Sequence, residues 1–69
     1  MILVFKTNVR NKKQIEKIAN HFKKITAITR WNFDLSDVDK ILRVESVSNI
    51  SDRIITTLIS DGFHCEELY

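Results

Sequence analysis

The segment NVRNKKQ, residues 8–14, lies between an apolar stretch and an amphipathic one, and it decides how the chain folds. Before it, residues 2–7 (ILVFKT) are rich in β-branched and aromatic side chains and predict a strand. Both alternating sets of this strand are apolar, which is typical of a central strand, and the pattern does not decide which set faces the core. Within the segment, Asn11 and Gln14 have the spacing of a helix cap and its reciprocal partner. The sequence therefore predicts a strand-to-helix turn here, a place where sites are often built.

An amphipathic helix over residues 11–25 follows this turn. Its apolar positions recur at the spacing of one helical face, and its charged and amide positions fill the opposite face. The apolar positions are Ile15, Ile18, Ala19, Phe22 and Ile25. The polar positions are Lys12, Lys13, Glu16, Lys17, Asn20, Lys23 and Lys24. Because a chain this short has little else to bury, we expect the apolar face to cover a sheet rather than lie on a membrane.

Two strands that can pair as a hairpin follow the helix. In residues 28–35, Trp31 and Phe33 alternate with polar residues, which predicts a half-buried strand. A turn at residues 36–39 leads to a strand over residues 40–46. The expected inward side chains of that strand are Leu42 and Val44, and the expected outward ones are Lys40, Arg43 and Glu45.

A second helix and a short strand complete the chain. Residues 48–52 offer several N-cap side chains, and Asp52 places a negative charge in the first turn. Gly62 stands where the residue after a helix needs a positive φ, and residues 63–68 predict a final strand. The element order with right-handed crossovers predicts a ferredoxin-like α+β fold, in which a four-stranded antiparallel sheet has the order 4-1-3-2 and both helices lie on one face. We expect one domain over residues 1–69.

Composition limits the possible classes of protein. The chain has 69 residues, 43% of them hydrophobic, with no proline and one cysteine. Cys65 alone cannot form an intrachain disulfide, so we expect a reducing, cytoplasmic location. No apolar run is long enough to span a membrane. Residues 1–30 carry a net charge of +7 and residues 31–69 a net charge of −5, an asymmetry that can attract an acidic partner or orient self-association.

Candidate ligands and catalytic groups are few. His64 and Cys65 are adjacent in a predicted strand, so they point to opposite faces and cannot easily hold one ion together, and His21 is distant in sequence. The serines lie at turns and helix ends, where capping explains them. The carboxylates of Asp34, Asp37 and Asp39 cluster at a hairpin turn without the spacing of a calcium loop. We therefore expect no enzymatic activity, no cofactor and no metal site.

Nucleic acid binding depends on aromatic side chains in the two central strands of such a fold. RNA-recognition modules stack bases there. The first strand offers Phe5, but residues 40–46 contain no aromatic residue and no glycine-aromatic pattern. The sequence therefore does not favour nucleic acid as a partner.

Over essentially its whole length the chain resembles the heavy-metal-associated domain of copper chaperones and metal-transporting ATPases. That family has an apolar first strand, a Gly-Met-x-Cys-x-x-Cys loop, a helix with apolar residues after the second cysteine, and a late Gly-aromatic pair near the loop. Ile15, Ile18 and Phe22 match the helix, and Gly62-Phe63 matches the late pair. The alignment places Asn8 and Val9 at the family's glycine and methionine, and Asn11 and Gln14 at its two cysteines.

The resemblance implies the same fold but not the same chemistry. Two thiolates hold Cu(I) in that family, and carboxamides are poor ligands for a soft ion, so copper transfer cannot be carried over. In copper chaperones a basic face around the metal loop docks on an acidic partner domain. The corresponding docking surface here consists of Lys6, Asn8, Val9, Arg10, Lys12, Lys13, Lys17 and Phe63.

Together these observations predict a protein-interaction or adaptor module that binds no metal. Its expected partner is a protein with an acidic surface or a second copy of the chain, and we expect no membrane partner. Two alternatives stay open at this point. One is a metallochaperone that uses Cys65 from two copies in a dimer, and the other is an RNA-binding module.

Overall fold

A computed structural model describes residues 1–68, so that Tyr69, the last residue of the predicted domain, lies outside the described residues. Within residues 1–68, strands and helices follow one another in the predicted order. These elements are β1 (Ile2–Thr7), α1 (Lys12–Phe22), β2 (Ile28–Asp34), β3 (Ile41–Ser46), α2 (Ser51–Ser60) and β4 (Cys65–Glu67). The strands form one antiparallel sheet in the order β2-β3-β1-β4, which confirms the predicted ferredoxin-like α+β fold.

β1 lies in the middle of the sheet, between β3 and β4. Leu3 and Phe5 belong to the hydrophobic core, and Phe5 is fully buried. Val4 points to the opposite, open face, because successive side chains of a strand alternate, and it is still only 4% exposed. Ile2 shares that face and is 60% exposed. The set that contains Leu3 and Phe5 therefore faces the core, a choice that the sequence pattern alone left open.

Both helices pack on one face of the sheet, as predicted. α1 contributes Ile18 to the core cluster, and α2 contributes Ile54 and Leu58 to the same cluster. Leu42 and Val44 of β3 are fully buried there, which confirms their predicted inward orientation. Each such side chain stabilises the fold by about 1.5–3 kcal/mol relative to leaving it in water. No helix within residues 1–68 has the length and apolarity needed to cross a bilayer.

In the structure α1 ends at Phe22, three residues before residue 25, where the sequence pattern predicted its end. Lys24 N donates to the carbonyl oxygen of His21 at 3.1 Å, and Ile25 N donates to that of Phe22 at 3.0 Å. These are the bonds of a tighter, 3₁₀-type turn. Ile25 is nevertheless 4% exposed, so the last apolar position of the helical pattern reaches the core from outside the α-helix.

Lys40 does not take the outward-facing strand position that the alternation predicted. It precedes β3 and adopts a left-handed φ of 47°. Its ammonium group donates to the carbonyl oxygen of Leu35 at 2.9 Å. Because the chain reverses direction between β2 and β3 within a few residues, Lys40 closes the turn, and the strand begins at Ile41.

α2 ends at Ser60, and Gly62, which follows the C-cap residue Asp61, adopts the predicted positive φ, 88°. Gly62 N donates to the carbonyl oxygen of Ile59 and Phe63 N donates to that of Leu58, both at 2.9 Å. This pair of bonds is a Schellman motif, which requires the positive φ that glycine adopts without strain. β4 is shorter than the predicted strand and covers Cys65–Glu67.

Candidate docking surface

The loop between β1 and α1 is held by hydrogen bonds to two other parts of the chain. Thr7 Oγ1 donates to the carbonyl oxygen of Lys40 at 2.6 Å and accepts from Val9 N at 3.2 Å. Asn8 Oδ1 accepts from His64 N at 2.8 Å, which ties the loop to the segment before β4. Val9 is fully buried and anchors the loop from below. These contacts give the start of α1 a fixed position above the sheet.

Asn11 and Gln14, the positions of the family cysteines, form the N-terminal cap of α1. Asn11 Oδ1 accepts from Gln14 N at 2.9 Å. Gln14 Oε1 accepts from Arg10 N at 2.8 Å, one residue before the backbone N–H that a standard capping box would use. The predicted cap is confirmed with this shift. Each side-chain oxygen accepts one backbone hydrogen bond, which holds both amides in the cap.

The residues around this loop do not fit the Cu(I) ion of the family. Carboxamides are hard ligands, and soft Cu(I) prefers thiolates. Within residues 1–68, no three His, Cys, Asp or Glu side chains lie close enough together to hold a metal ion. Cys65 is 7% exposed, and burial, followed by the Glu67 carboxylate, raises the pKa of its thiol to about 12. Because its side chain is buried, Cys65 is poorly accessible for bridging two copies through a shared ion.

Four exposed cationic side chains surround the first turns of α1, and we call them the basic rim. They are Arg10, Lys12, Lys13 and Lys17. Among residues 1–68, no carboxylate oxygen lies within 4.0 Å of their charged nitrogen atoms. Among the other lysines and arginines, Lys6 and Arg30 do have such partners, as in the contact of Arg30 Nε with Glu45 Oε2 at 3.7 Å. Within residues 1–68 the remaining ones have none, so the basic rim differs from them in its clustering around one helix start rather than in lacking ion pairs. The basic rim is therefore an uncompensated patch of positive charge.

Four of the predicted docking residues lie outside the basic rim, and three of them, Lys6, Asn8 and Val9, contribute little or no free charge to it. Val9 was wrongly assigned to the docking surface, because its side chain is fully buried beneath the loop. Lys6 has compensated charge, since its Nζ lies 3.6 Å from Asp39 Oδ1 and its strand partner is Glu66. Asn8 is exposed, but its side-chain oxygen is committed to the bond that fixes the loop.

A shallow hollow adjoins the basic rim. It is lined by Asn11, Lys13, Gln14, Lys17, Asp61 and Phe63. Phe63 is half-buried and supplies the apolar part of the lining. The late aromatic therefore lies beside the loop, as the resemblance implied. The structure thus brings together an aromatic surface, two lysines of the basic rim and the two capping amides.

Sequence reasoning missed Asp61, which also lines this hollow. His21 Nε2 lies 3.0 Å from both carboxylate oxygens of Asp61, and the aspartate side chain is only 12% exposed. This contact joins the end of α1 to the end of α2. Forty residues separate the two partners, so no local pattern in the sequence indicates the pair.

Phe5, the aromatic residue on which the RNA-binding alternative depended, is fully buried beneath the helices. It therefore cannot stack on a base at the open face of the sheet. The neighbouring central strand presents Arg43 and Glu45 on that face instead. The RNA-binding alternative loses its stacking residue.

The element order, the sheet order and the position of the capped loop define a ferredoxin-like domain of the architecture that the sequence resemblance implied. The solved structure of the yeast copper transporter domain Ccc2A, described in apo and Cu(I)-loaded states, has this architecture too. It matches with a TM-score of 0.82 and 17% sequence identity, covering 99% of this chain and 94% of that chain. At this identity the match establishes the fold. No protein-family model matches the sequence, and no curated protein matches it.

Proposed function

We propose that the chain is a protein-interaction module of heavy-metal-associated type, which docks through its basic rim on an acidic surface of another protein and binds no metal there. The observation that carries this proposal is the uncompensated charge of Arg10, Lys12, Lys13 and Lys17 around a fixed helix terminus. A cytoplasmic location is part of the proposal, since one unpaired cysteine suits a reducing compartment.

The placement of these cations is unfavourable for the stability of the fold. The N-terminus of a helix carries a partial positive charge, so cations there are destabilising by about 0.3–1 kcal/mol each. The first turn of α1 contains no acidic residue, and Lys12 and Lys13 stand in it. Since stability does not account for this arrangement, recognition of an anionic surface is the better explanation.

The hollow beside the basic rim supplies the apolar part of an interface. Protein interfaces combine a desolvated centre, often aromatic, with a polar rim. Phe63 lies in the hollow, and Lys13 and Lys17 border it. Carboxylates of a partner would contact the lysines, while an apolar side chain would contact Phe63. Charge of one sign also increases the rate at which an oppositely charged partner is captured.

A pulldown with reversed charges tests this function. The triple variant R10E/K12E/K13E should lose the partners that the wild-type chain retains. The matched control is K23E/K24E/R53E, which makes the same change in net charge at three exposed cations outside the basic rim. Partners retained equally by both variants would contradict the proposal. Retained partners should also dissociate as the salt concentration rises, because exposed charges are screened.

A titration with Cu(I) and Zn(II) tests the metallochaperone alternative. We expect no specific binding, and the same weak response in wild type and in Cys65→Ser. Sub-micromolar binding that is lost in Cys65→Ser would favour the alternative and contradict the absence of a metal site.

A further inference from the structure

The outer edge of β2 is open. β2 is the terminal strand of the sheet, and within residues 1–68 no strand pairs with its outer side. It is seven residues long, the longest strand described, and contains neither proline nor glycine. Such an edge presents a row of unpaired backbone N–H and C=O groups, which is a template for another strand.

The charges on this edge form a self-complementary pattern. Residues 30–34 read RWNFD, so that a cation, an aromatic, an amide, an aromatic and an anion follow one another. The irregularity in β2 pairing lies between Ile28 and Arg30, before this segment. Reversing the direction of the segment about Asn32 exchanges Arg30 with Asp34 and Trp31 with Phe33.

We propose that β2 pairs antiparallel with β2 of a second copy of the chain, about a two-fold axis through Asn32. The two four-stranded sheets then become one continuous sheet of eight strands. In this register Arg30 of each copy lies opposite Asp34 of the other on the open face. Trp31 of each copy lies opposite Phe33 of the other on the face that carries the helices. Directly opposed charges of unlike sign and opposed aromatic residues are the pairs that stabilise antiparallel strands.

Neighbouring registers lack these pairs. An axis through Trp31 places Arg30 opposite Asn32, and an axis through Phe33 places Asp34 opposite Asn32. Both lose the two ion pairs and the Trp–Phe contacts. Register in an antiparallel sheet is set by such side-chain matches, so the axis through Asn32 is the one that the sequence of the edge specifies.

The side chains that this pairing needs are accessible. Arg30 is 82% exposed at its side chain, and its contact with Glu45 is made at Nε over 3.7 Å. Asp34 is exposed and uses only Oδ1 in its bonds to Ser36. Trp31 is half-buried, and its ring centroid lies 6.0 Å from that of Phe33.

A shallow groove flanks the same edge and would receive the second copy. It lies between the end of α1 and β2. Its lining includes Phe22, Ile25, Ile28 and Trp31. In the proposed register the Phe33 side chain of the other copy lies opposite Trp31, at this groove. The interface uses no residue of the basic rim, so it is independent of the docking function.

Charge reversal on the two sides of the pair tests the proposal by sedimentation. The dimeric fraction of wild type should rise as the chain concentration is raised to about 1 mM. Arg30→Asp and Asp34→Arg each create two repulsive pairs and should weaken the dimer by about tenfold or more. An equimolar mixture of the two variants restores both ion pairs, so it should form heterodimers although each variant alone does not.

Arg53→Asp and Asp52→Arg make the same charge changes on the exposed surface of α2 and should leave the dimer unchanged. A wild type that is monomeric at the highest concentration would overturn the proposal. Single variants that dimerise like wild type, or a mixture that stays monomeric, would also overturn it.

A cysteine at the two-fold axis tests the register by a second route. Asn32 would lie opposite itself, within the Cβ separation that a disulfide can bridge after small adjustments. Asn32→Cys should therefore form an intermolecular disulfide under mild oxidation. The control is Asn20→Cys, another exposed asparagine that lies on α1. Equal rates of cross-linking in the two variants would overturn the register.

Discussion

The two helices begin in opposite ways, although each follows the C-terminal end of a strand. α1 has a side-chain cap at Asn11 and cations in its first turn. α2 has Ile50 at its N-cap position, with no side-chain cap bond, and Asp52 in its first turn. The negative charge of Asp52 therefore interacts favourably with the dipole of α2, whereas the positive charges of Lys12 and Lys13 interact unfavourably with the dipole of α1.

Burial differs between the two helix starts in the same sense. Ser51, the first residue of α2, is 6% exposed. Its hydroxyl contacts Asn49 Oδ1 at 2.8 Å and Glu67 Oε2 at 2.7 Å. Lys12, the first residue of α1, is exposed and unpaired within residues 1–68. The start of α2 is therefore buried and hydrogen-bonded through Ser51, whereas the start of α1 presents exposed positive charge.

The largest difference between the two helix starts should come from their fourth residues, Ile54 and Ile15. Ile54 is fully buried, whereas Ile15 is only partly buried. Ile54→Ala should lower the free energy of unfolding by about 3 kcal/mol or more, since it removes core volume. Ile15→Ala should lower it by about 1 kcal/mol. Urea denaturation of both variants measures the difference, and equal losses would contradict the distinction between the two helix starts.

Cys65, which β4 places opposite Thr7 beside the α1 loop, should make stability depend on pH above about 9. Burial raises the pKa of its thiol from 9.0 to about 12 in the folded chain. Between these values the unfolded chain loses the thiol proton while the folded chain keeps it, so stability falls as the pH rises, by up to about 1.4 kcal/mol per pH unit.

Denaturation of wild type and Cys65→Ala between about pH 9 and 11 isolates this effect, because every other titrating group is shared. Wild type should lose stability more steeply than the variant. Parallel curves would show that the thiol of Cys65 ionises as readily in the folded chain as in the unfolded one.

The cap at the start of α1 should have an effect of intermediate size. Asn11→Ala removes the bond to Gln14 N and should lower the free energy of unfolding by about 1 kcal/mol. Asn20→Ala, in the exposed middle of α1, should instead raise it by a few tenths of a kcal/mol, because alanine has the higher helix propensity. Thermal denaturation distinguishes the two variants, and a gain in both would mean that the cap contributes nothing.

Local patterns predicted most of the fold. The alternation in β2 and β3, the apolar face of α1, the Asn11–Gln14 cap and the positive φ of Gly62 all follow from residues near one another in sequence. The prediction that Lys40 is an outward-facing strand residue was wrong, because Lys40 adopts the left-handed conformation that closes the turn before β3. The sequence did not decide which face of β1 points to the core, since both of its faces are apolar.

The candidate site was only partly predictable. The cations of the basic rim could be predicted from the sequence, because all four lie in the predicted loop or in the first turns of the predicted helix. The burial of Val9 and the pairing of His21 with Asp61 depend on which distant residues the fold brings together. No local pattern contains that information, so the final extent of the docking surface required the structure.

The free energy of unfolding of the Lys12→Glu, Lys13→Glu double variant tests the central claim most directly. At low ionic strength, acidic residues in the first turn of α1 should raise it by about 0.5–2 kcal/mol in total. The matched control is the Lys23→Glu, Lys24→Glu double variant, which makes the same change in net charge at the other end of α1 and should lower it. A loss of stability in both double variants would contradict the claim that the basic rim is kept for docking rather than for stability.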